Sequence, residues 1–319
     1  MDYNEVLETA RTKIGTKCKA CPICNGVACR NTMPGPGAKG IGDTAIRNYQ
    51  KWQEIRVNMD TICEKKQIDT GLELFGKHFS YPFFAGPVGA IAMHYSNAYS
   101  DVTYNEVLVS ACAESGIAAF TGDGLDSSVM AAATQAIKAV DGQGVPTVKP
   151  WNLETIKEKL ALVKESGAFA GSKSVSELAE IAQQAGVPFI VKGIMTAKAA
   201  LKAQQAGAQA IIVSNHGGRV LDQCAATAEV LPEIAAAVGG KMRIIVDGGV
   251  RSGVDIFKAL ALGADAVVIA RPFVTAVFGG GKEGIKVYIE KLAAELKDTM
   301  AMCGAFTLKE ITSEMVRRS

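Results

Sequence analysis

The sequence lacks any large excess of charge: its 319 residues include 34 basic and 32 acidic side chains, a formal net charge of +2. So small a charge creates no strong field towards nucleic acid or an anionic membrane surface. No apolar run reaches the ~18 residues of a membrane span, and the first residues lack the apolar stretch of a signal peptide. We therefore expect a cytoplasmic protein that binds neither nucleic acid nor membrane.

Histidine is scarce, with three residues, whereas there are eight cysteines, four of them close together. The four are Cys18, Cys21, Cys24 and Cys29, and their spacing is close to that of bacterial ferredoxins, although the last gap is one residue longer. Zinc also accepts four thiolates, and free or disulfide-linked cysteines are a third possibility. Because no secretion signal favours disulfides, we predict a [4Fe–4S] cluster, with zinc as the alternative.

The chain divides into an N-terminal arm, residues 1–78, and a barrel-like body, residues 79–319. The arm contains the cysteines and a Gly- and Pro-rich loop at 33–42. Apolar residues at a helical spacing then predict a helix over 43–54.

The body alternates short apolar runs with amphipathic stretches. The runs are continuous, which is typical of parallel strands buried on both faces. They lie at Tyr81–Pro87, Ile117–Thr121, Val145–Lys149, Ala168–Ala170, Pro188–Lys192, Ala210–Asn215, Arg243–Asp247 and Ala264–Ala270. Eight β-then-α units in about 240 residues predict a (β/α)8 TIM barrel. The alternative, an open doubly wound sheet, would need fewer strands and an early Gly-rich fingerprint, which Gly86–Gly89 does not provide.

The fourth unit is the thinnest. Its apolar run is very short, and Ser172–Ser174 follows at once as the start of a predicted helix, Val175–Ala185. A barrel cannot lose a strand without opening an edge. The fourth strand is therefore either very short or completed by a neighbouring segment.

Glycines and arginines follow the seventh and eighth runs, where barrels of this kind habitually bind phosphate. Gly248 and Gly249 would let the backbone approach an anion, and Arg251 and Arg271 would supply charge-assisted hydrogen bonds. The alternative is that the glycines only form tight turns and the arginines pair with surface carboxylates. We predict a phosphate site here.

His216 follows the sixth run, beside two glycines and Arg219. A lone histidine is often structural, but at a strand's carboxyl end next to an arginine it is a candidate base. The Arg219 guanidinium can grip a planar carboxylate with two parallel hydrogen bonds. Lys192, at the end of the fifth run, is costly to bury unless it faces an anion or an electron-rich ring.

These motifs resemble the FMN-dependent α-hydroxy acid dehydrogenase family, which includes glycolate oxidase and lactate oxidase. The motifs are Val191–Gly193, Ser214–Asp222, Asp247–Arg251 and Ala270–Pro272. The likeness is strong over 186–319 and weaker over 43–165. It implies a (β/α)8 barrel that binds FMN and oxidises a small 2-hydroxy acid, such as lactate or glycolate, to the 2-oxo acid.

The resemblance also implies roles for individual residues. His216 would be the catalytic base, and Arg219 the substrate-carboxylate arginine. Lys192 would lie at the flavin N1–C2 edge, and Ser214 would face the flavin. The ribityl and phosphate contacts would come from Asp247, Gly249, Arg251 and Arg271. We expect a homo-oligomer, and the electron acceptor is left open.

The chain departs from the family pattern in three places. The family has Gln and Tyr at the end of strand three, where this chain reads Thr147–Trp151; here Lys149 is the candidate for the flavin contact. The short fourth strand carries no Asp to orient His216, and the cysteine-rich arm is not part of the common pattern. Two further functions therefore stay open: another phosphate-binding barrel, such as a flavin-dependent isomerase or a nucleotide dehydrogenase, and a non-catalytic electron carrier.

Overall fold

The N-terminal arm forms two helices and three short strands that pack on the rest of the chain. They were located in a computed structural model that describes residues 1–64, 66–124, 126–149, 151–168, 170–173, 182 and 185–318. In chain order they are α1 Tyr3–Lys13, α2 Asp43–Gln53, β1 Ile55–Val57, β2 Leu72–Leu74 and β3 Lys77–Phe79. The helix predicted over 43–54 is confirmed as α2. Because β1 pairs with residues 316–318, the arm is joined to the far end of the chain.

Eight parallel strands close into one barrel, which confirms the predicted fold. They are β4 Phe83–Ala85, β5 Ala119–Thr121, β6 Gly144–Val148, β7 Gly171–Lys173, β8 Phe189–Ile194, β9 Ala210–Val213, β10 Arg243–Asp247 and β11 Ala266–Ile269; the C-terminal β12 is Val316–Arg318. The barrel closes where β11 pairs with β4, with Val267 opposite Phe83. Every residue of β9 and β11 is buried, as expected for strands covered on both faces.

The position predicted for the fourth strand was wrong by three residues. The apolar run at 168–170 precedes the strand, and β7 occupies Gly171–Lys173, where a helix was expected to begin. This polar segment is a strand because both neighbours pair with it: Ser172 lies opposite Thr147 of β6 and Ile190 of β8. Backbone pairing therefore completes the barrel where the side chains give no apolar signal. The helix predicted at 175–185 lies almost wholly outside the described residues.

Helices cover the outside of the barrel. They are α3 Ile91–His94, α4 Asp101–Glu114, α5 Ser127–Lys138, α6 Leu153–Glu165, α7 Ala197–Gln205, α8 Thr227–Val238, α9 Gly253–Ala261 and α10 Arg271–Met302. Gly167, Gly207 and Gly263 follow three of them with positive φ, the left-handed conformation in which helices commonly end at glycine. Of the helices in the described part of the chain, none is both long and apolar enough to cross a membrane.

Candidate active site

Lys192, Ser214 and Asp247 meet at the carboxyl ends of three adjacent strands, β8, β9 and β10. The Lys192 Nζ atom lies 2.5 Å from Ser214 Oγ and 2.5 Å from Asp247 Oδ2. Lys192 is only 8% exposed, so its charge requires the Asp247 carboxylate beside it. Three residues far apart in sequence thus lie together, because parallel strands of a barrel end at the same face.

Several buried polar atoms around the same mouth have no hydrogen-bond partner among the described residues. They are Thr121 Oγ1, Thr147 Oγ1, Asp247 Oδ1 and Arg271 Nη1, each at or just after the carboxyl end of a barrel strand. Such groups are costly unless something pairs with them. Hydroxyl, carboxylate and guanidinium groups together fit a ligand with both donors and acceptors and an anionic end, as FMN has.

His216 begins a tight turn directly after β9. Its φ is +55°, and its backbone N–H donates to Ser214 Oγ over 3.1 Å. A non-glycine residue in the left-handed region is strained, and such strain clusters at functional sites. The turn places His216 at the mouth. The residue remains accessible to solvent there, although many protein atoms lie close to it.

The surroundings of His216 keep its ring neutral. Desolvation by the surrounding protein is the main cause that lowers the pKa of His216 to about 4; the Lys192 charge contributes to the same shift, and Asp247 opposes it. A neutral imidazole has a free lone pair at physiological pH. An accessible ring of this kind can accept a proton from a substrate.

Arg219 contacts the arm as well as the mouth. Its Nη1 atom donates to the carbonyl oxygens of Gly35 and Gly37, each over 2.7 Å, and Nη2 lies 3.1 Å from His94 Nε2. No described residue accepts from Nε, so the edge formed by Nε and Nη2 can still meet a carboxylate. Sequence reasoning missed these loop carbonyls.

His94 is held between the arm and Arg219. Its Nδ1 atom lies 3.0 Å from the Gly35 N–H group, and desolvation, followed by the Arg219 charge, lowers the pKa of His94 to about 4. A neutral ring accepts at only one nitrogen. His94 can therefore accept a hydrogen bond from Gly35 or from Arg219, but not from both at once.

Lys149, the candidate flavin contact, follows β6 and is placed by a buried acid. The Asp123 carboxylate accepts the Lys149 backbone N–H over 2.8 Å and Trp151 Nε1 over 2.6 Å, and it forms an ion pair with Lys159. The Lys149 charge is a minor contribution to the low pKa of both His216 and His94. Sequence reasoning missed Asp123, although it follows β5 directly and reading every strand end would have found it.

Helix α2 occupies the space beside Gly248 and Gly249. A Cβ atom at Gly249 would lie 2.1 Å from the Asn48 carbonyl oxygen, and one at Gly248 would lie 3.0 Å from Asn48 Nδ2. The Asn48 and Asn215 amides also exchange two hydrogen bonds, of 2.7 and 2.8 Å. Because these two glycines have no Cβ atom, helix α2 of the arm can pack directly against their backbone. A polar residue on the buried face of α2 was the sequence signal for Asn48.

Asp222 fastens the arm to the loop after β9. Its carboxylate accepts the backbone N–H groups of Ile41, Gly42 and Thr44 over 2.9, 3.0 and 3.0 Å. These groups begin α2, whose N-cap, Gly42, has no side chain to accept them. Asp222 therefore caps the helix from another part of the chain.

The Asp222→Ala variant is expected to lose about 1–2 kcal/mol of unfolding free energy, the usual scale for a lost helix cap. Burial alone would raise the pKa of Asp222, but the hydrogen bonds from Thr44 and its neighbours hold it below the ordinary value. The stabilisation is present above the ordinary Asp pKa and is lost as pH falls through the lower, folded-state pKa. Urea unfolding at pH 7 and at low pH measures both effects. Asp298→Ala, at an exposed aspartate without a cap role, is the control; an equal loss in both variants would contradict the assignment.

The arm also brings the four clustered cysteines beside the predicted phosphate arginines. Cys18, Cys21, Cys24 and Cys29 line one cavity together with Arg271, and Arg251 Nε donates to the Cys24 carbonyl oxygen over 2.6 Å. All four thiols are free. In the described part of the chain, no group of three His, Cys, Asp or Glu residues is arranged to hold a metal ion.

The two arginines make Cys24 different from its neighbours. Burial would raise the pKa of Cys24, but the Arg251 and Arg271 charges hold it below the ordinary value. Burial raises the pKa of Cys18 to about 12 and also raises those of Cys21 and Cys29. The cavity therefore offers one thiolate-favouring position and positive charge that can balance further thiolates.

Comparisons with known proteins identify the family. The FMN-dependent dehydrogenase profile matches residues 36–168 and 141–318, so the chain belongs to this family. The match begins after the four clustered cysteines, which agrees with their absence from the common pattern.

The relatives found by sequence align with this chain over only part of their own length. A peroxisomal (S)-2-hydroxyacid oxidase of Arabidopsis thaliana is 46% identical over 152 residues, which cover 48% of this chain and 42% of that protein. An L-lactate oxidase of Lactobacillus jensenii is 46% identical over 143 residues, covering 45% and 35%. These alignments thus span less than half of each relative.

Solved structures share the fold across nearly the whole chain. An (S)-mandelate dehydrogenase aligns with a TM-score of 0.81 at 17% identity and covers 100% of this chain and 99% of its own. A mandelate oxidase variant aligns with a TM-score of 0.79 at 23% identity, with coverage of 96% and 95%. At these identities the likeness establishes the fold.

Proposed function

We propose that the protein is an FMN-dependent enzyme that oxidises a small 2-hydroxy acid to the 2-oxo acid. The observation that carries the proposal is the neutral, accessible ring of His216 beside the buried Lys192–Asp247 pair. A base and a fixed positive charge at one strand-end mouth are what abstraction of a substrate proton and stabilisation of a reduced flavin require. The related hydroxyacid and lactate oxidases support this reaction class.

Each residue at the mouth has a separate task in this proposal. His216 accepts the proton of the substrate hydroxyl, and the free edge of Arg219 holds the substrate carboxylate. Lys192 and Ser214 would contact the flavin ring, and Lys149 would lie at its edge. Its ribityl chain and phosphate would be held by Asp247, Gly248, Gly249, Arg251 and Arg271. Bound FMN supplies the two-electron acceptor.

Anaerobic spectroscopy tests this proposal directly. Purified protein is mixed without oxygen with glycolate, lactate and larger 2-hydroxy acids, and the flavin absorbance is followed. Bleaching by at least one hydroxy acid is the expected result. Bound flavin that none of them reduces would instead support a non-catalytic electron carrier.

The Arg219→Lys variant is expected to raise the apparent KM for the hydroxy acid about tenfold or more, which corresponds to about 1.4 kcal/mol. The lysine keeps the charge but loses the planar edge that binds a carboxylate twice. FMN content should stay unchanged. Steady-state kinetics measure the effect, with Arg243→Lys, a surface arginine paired to Asp265, as the control. An unchanged KM would show that Arg219 serves only to hold the Gly35–Gly37 loop.

We further propose that the four clustered cysteines hold a [4Fe–4S] cluster. Support comes from the shared cavity that Cys18, Cys21, Cys24 and Cys29 line, and from the Arg271 charge beside it. Thiolate ligands carry negative charge that a neighbouring arginine stabilises. Zinc is the alternative occupant, and metal analysis distinguishes the two. With a cluster, residues 1–78 form an arm that gives the flavin's electrons an exit other than oxygen.

A further inference from the structure

The surface around the cysteines is strongly basic. Residues 11–42 contain six Lys and Arg and no Asp or Glu, whereas the whole chain has a net charge of only +2. Lys17, Lys19 and Lys39 donate to the backbone carbonyl oxygens of Met93, Thr16 and Val220. A carbonyl does not cancel a full charge, and none of these three lysines has a carboxylate partner among the described residues. Residues 11–42 therefore carry a local excess of positive charge, and the Asp222 carboxylate lies only at its far end, against Ile41 and Gly42.

Four large apolar side chains are exposed within this basic surface: Met33, Ile41 and the two that flank Cys24, which are Ile23 and Val27. Ile23 is 53% and Val27 is 45% exposed, on either side of Cys24. A tight turn fixes them outward: Asn25 N–H donates to the Ile23 carbonyl oxygen over 2.9 Å, and Asn25 Oδ1 accepts the Val27 N–H over 3.0 Å. Exposed apolar residues rimmed by charge mark interaction sites.

The same turn contributes to the wall of the cysteine cavity. Asn25, Gly26 and Ala28 line the cavity together with the four cysteines. The exposed Ile23 and Val27 therefore belong to the same short segment as the residues that line the cavity. A partner bound to Ile23 and Val27 would contact the segment that carries Cys24.

We propose that this basic and apolar surface, residues 11–42, docks a small acidic iron–sulfur carrier protein that accepts the enzyme's electrons. The inference rests on the proposed function, because the electrons come from the hydroxy acid through the flavin and the cysteine-bound cluster. Each hydroxy acid loses two electrons and two protons as it becomes the 2-oxo acid. Two one-electron carriers are each reduced once, and the protons pass to solvent.

Charge favours an acidic protein over other occupants. An opposite charge steers association and makes binding salt-dependent, and the apolar turn supplies the contact area that charge alone lacks. A small acidic iron–sulfur protein meets the charge requirement and carries a centre that accepts one electron.

Binding of a purified acidic ferredoxin to the holoenzyme tests the proposal by calorimetry at low and high salt. The double variant Lys13→Glu/Arg30→Glu is expected to weaken binding at least tenfold, and Val27→Ser to weaken it less. The control, Lys198→Glu/Lys202→Glu, makes the same change in net charge on the exposed face of α7 and should bind as the wild type does. Iron content and flavin reduction by the hydroxy acid should be equal in all four proteins.

Two results would overturn the inference: no binding by the wild type at low salt, or equal weakening in the double variant and its control. Failure of the proposed function gives a different result. In that case the wild type lacks iron, or no hydroxy acid reduces its flavin, whereas the binding measurement still reports on the surface itself.

Discussion

Alanine in place of His216 is expected to slow flavin reduction about 100-fold or more while FMN stays bound, the usual scale for a lost general base. The expectation follows from the ring's position, exposed at the mouth and close enough to Lys192 and Asp247 for their charges to shift its pKa. Stopped-flow absorbance under anaerobic conditions measures the reduction step apart from reoxidation. The FMN content of the variant, read from the same spectrum, shows whether the site is intact.

His78→Ala is the matched control, because this histidine is exposed in the β2–β3 hairpin. It should reduce at the wild-type rate. Near-normal reduction by His216→Ala would remove His216 from the mechanism and make His94 the next candidate, since its ring also faces Arg219.

The pH profile provides a second test of the same assignment. The base must be neutral, so reduction should stay near its maximum at pH 5.5 and fall only as pH approaches about 4, the pKa of His216. An ordinary histidine, with a pKa near 6.5, would already be mostly protonated at pH 5.5. A large loss of rate between pH 7 and 5.5 would show that the ring is not desolvated as the structure indicates.

The sequence predicted the parts of the site that parallel strands bring together. Lys192, Ser214 and Asp247 follow apolar runs, and the carboxyl ends of parallel strands must meet at one end of a barrel. Their contacts could therefore be anticipated without knowing how the helices pack.

The parts that sequence reasoning missed depend on contacts between distant segments. The Gly35–Gly37 loop reaches the mouth only because the arm folds over it, and no local pattern encodes that approach. Asn48 is marked in the sequence as a polar residue on the buried face of α2, but that pattern does not identify Asn215 as its partner. The strand at Gly171–Lys173 was misplaced for a related reason. Its residues are polar, and pairing with β6 and β8 determines its conformation.

The Cys24→Ala variant is expected to lose nearly all the iron that the wild type binds after anaerobic purification, about four atoms per chain for a [4Fe–4S] cluster. Cys24 is chosen because the Arg251 and Arg271 charges favour its thiolate, so it is the position best suited to hold iron. Iron and acid-labile sulfide analysis measures the loss, and Cys63→Ala, an exposed cysteine outside the cavity, should retain full iron.

The FMN content and the reduction of the flavin distinguish loss of the cluster from misfolding of the arm. Because α2 and Asp222 hold the arm independently of the cysteines, Cys24→Ala should keep its FMN and still be reduced by the hydroxy acid. Electron transfer to an iron–sulfur acceptor should then fail, whereas reduction of the flavin itself continues. If the wild type instead contains one zinc per chain and Cys24→Ala loses it, the cysteines form a structural zinc site and do not carry electrons. Wild-type protein with neither metal nor sulfide would contradict the cluster.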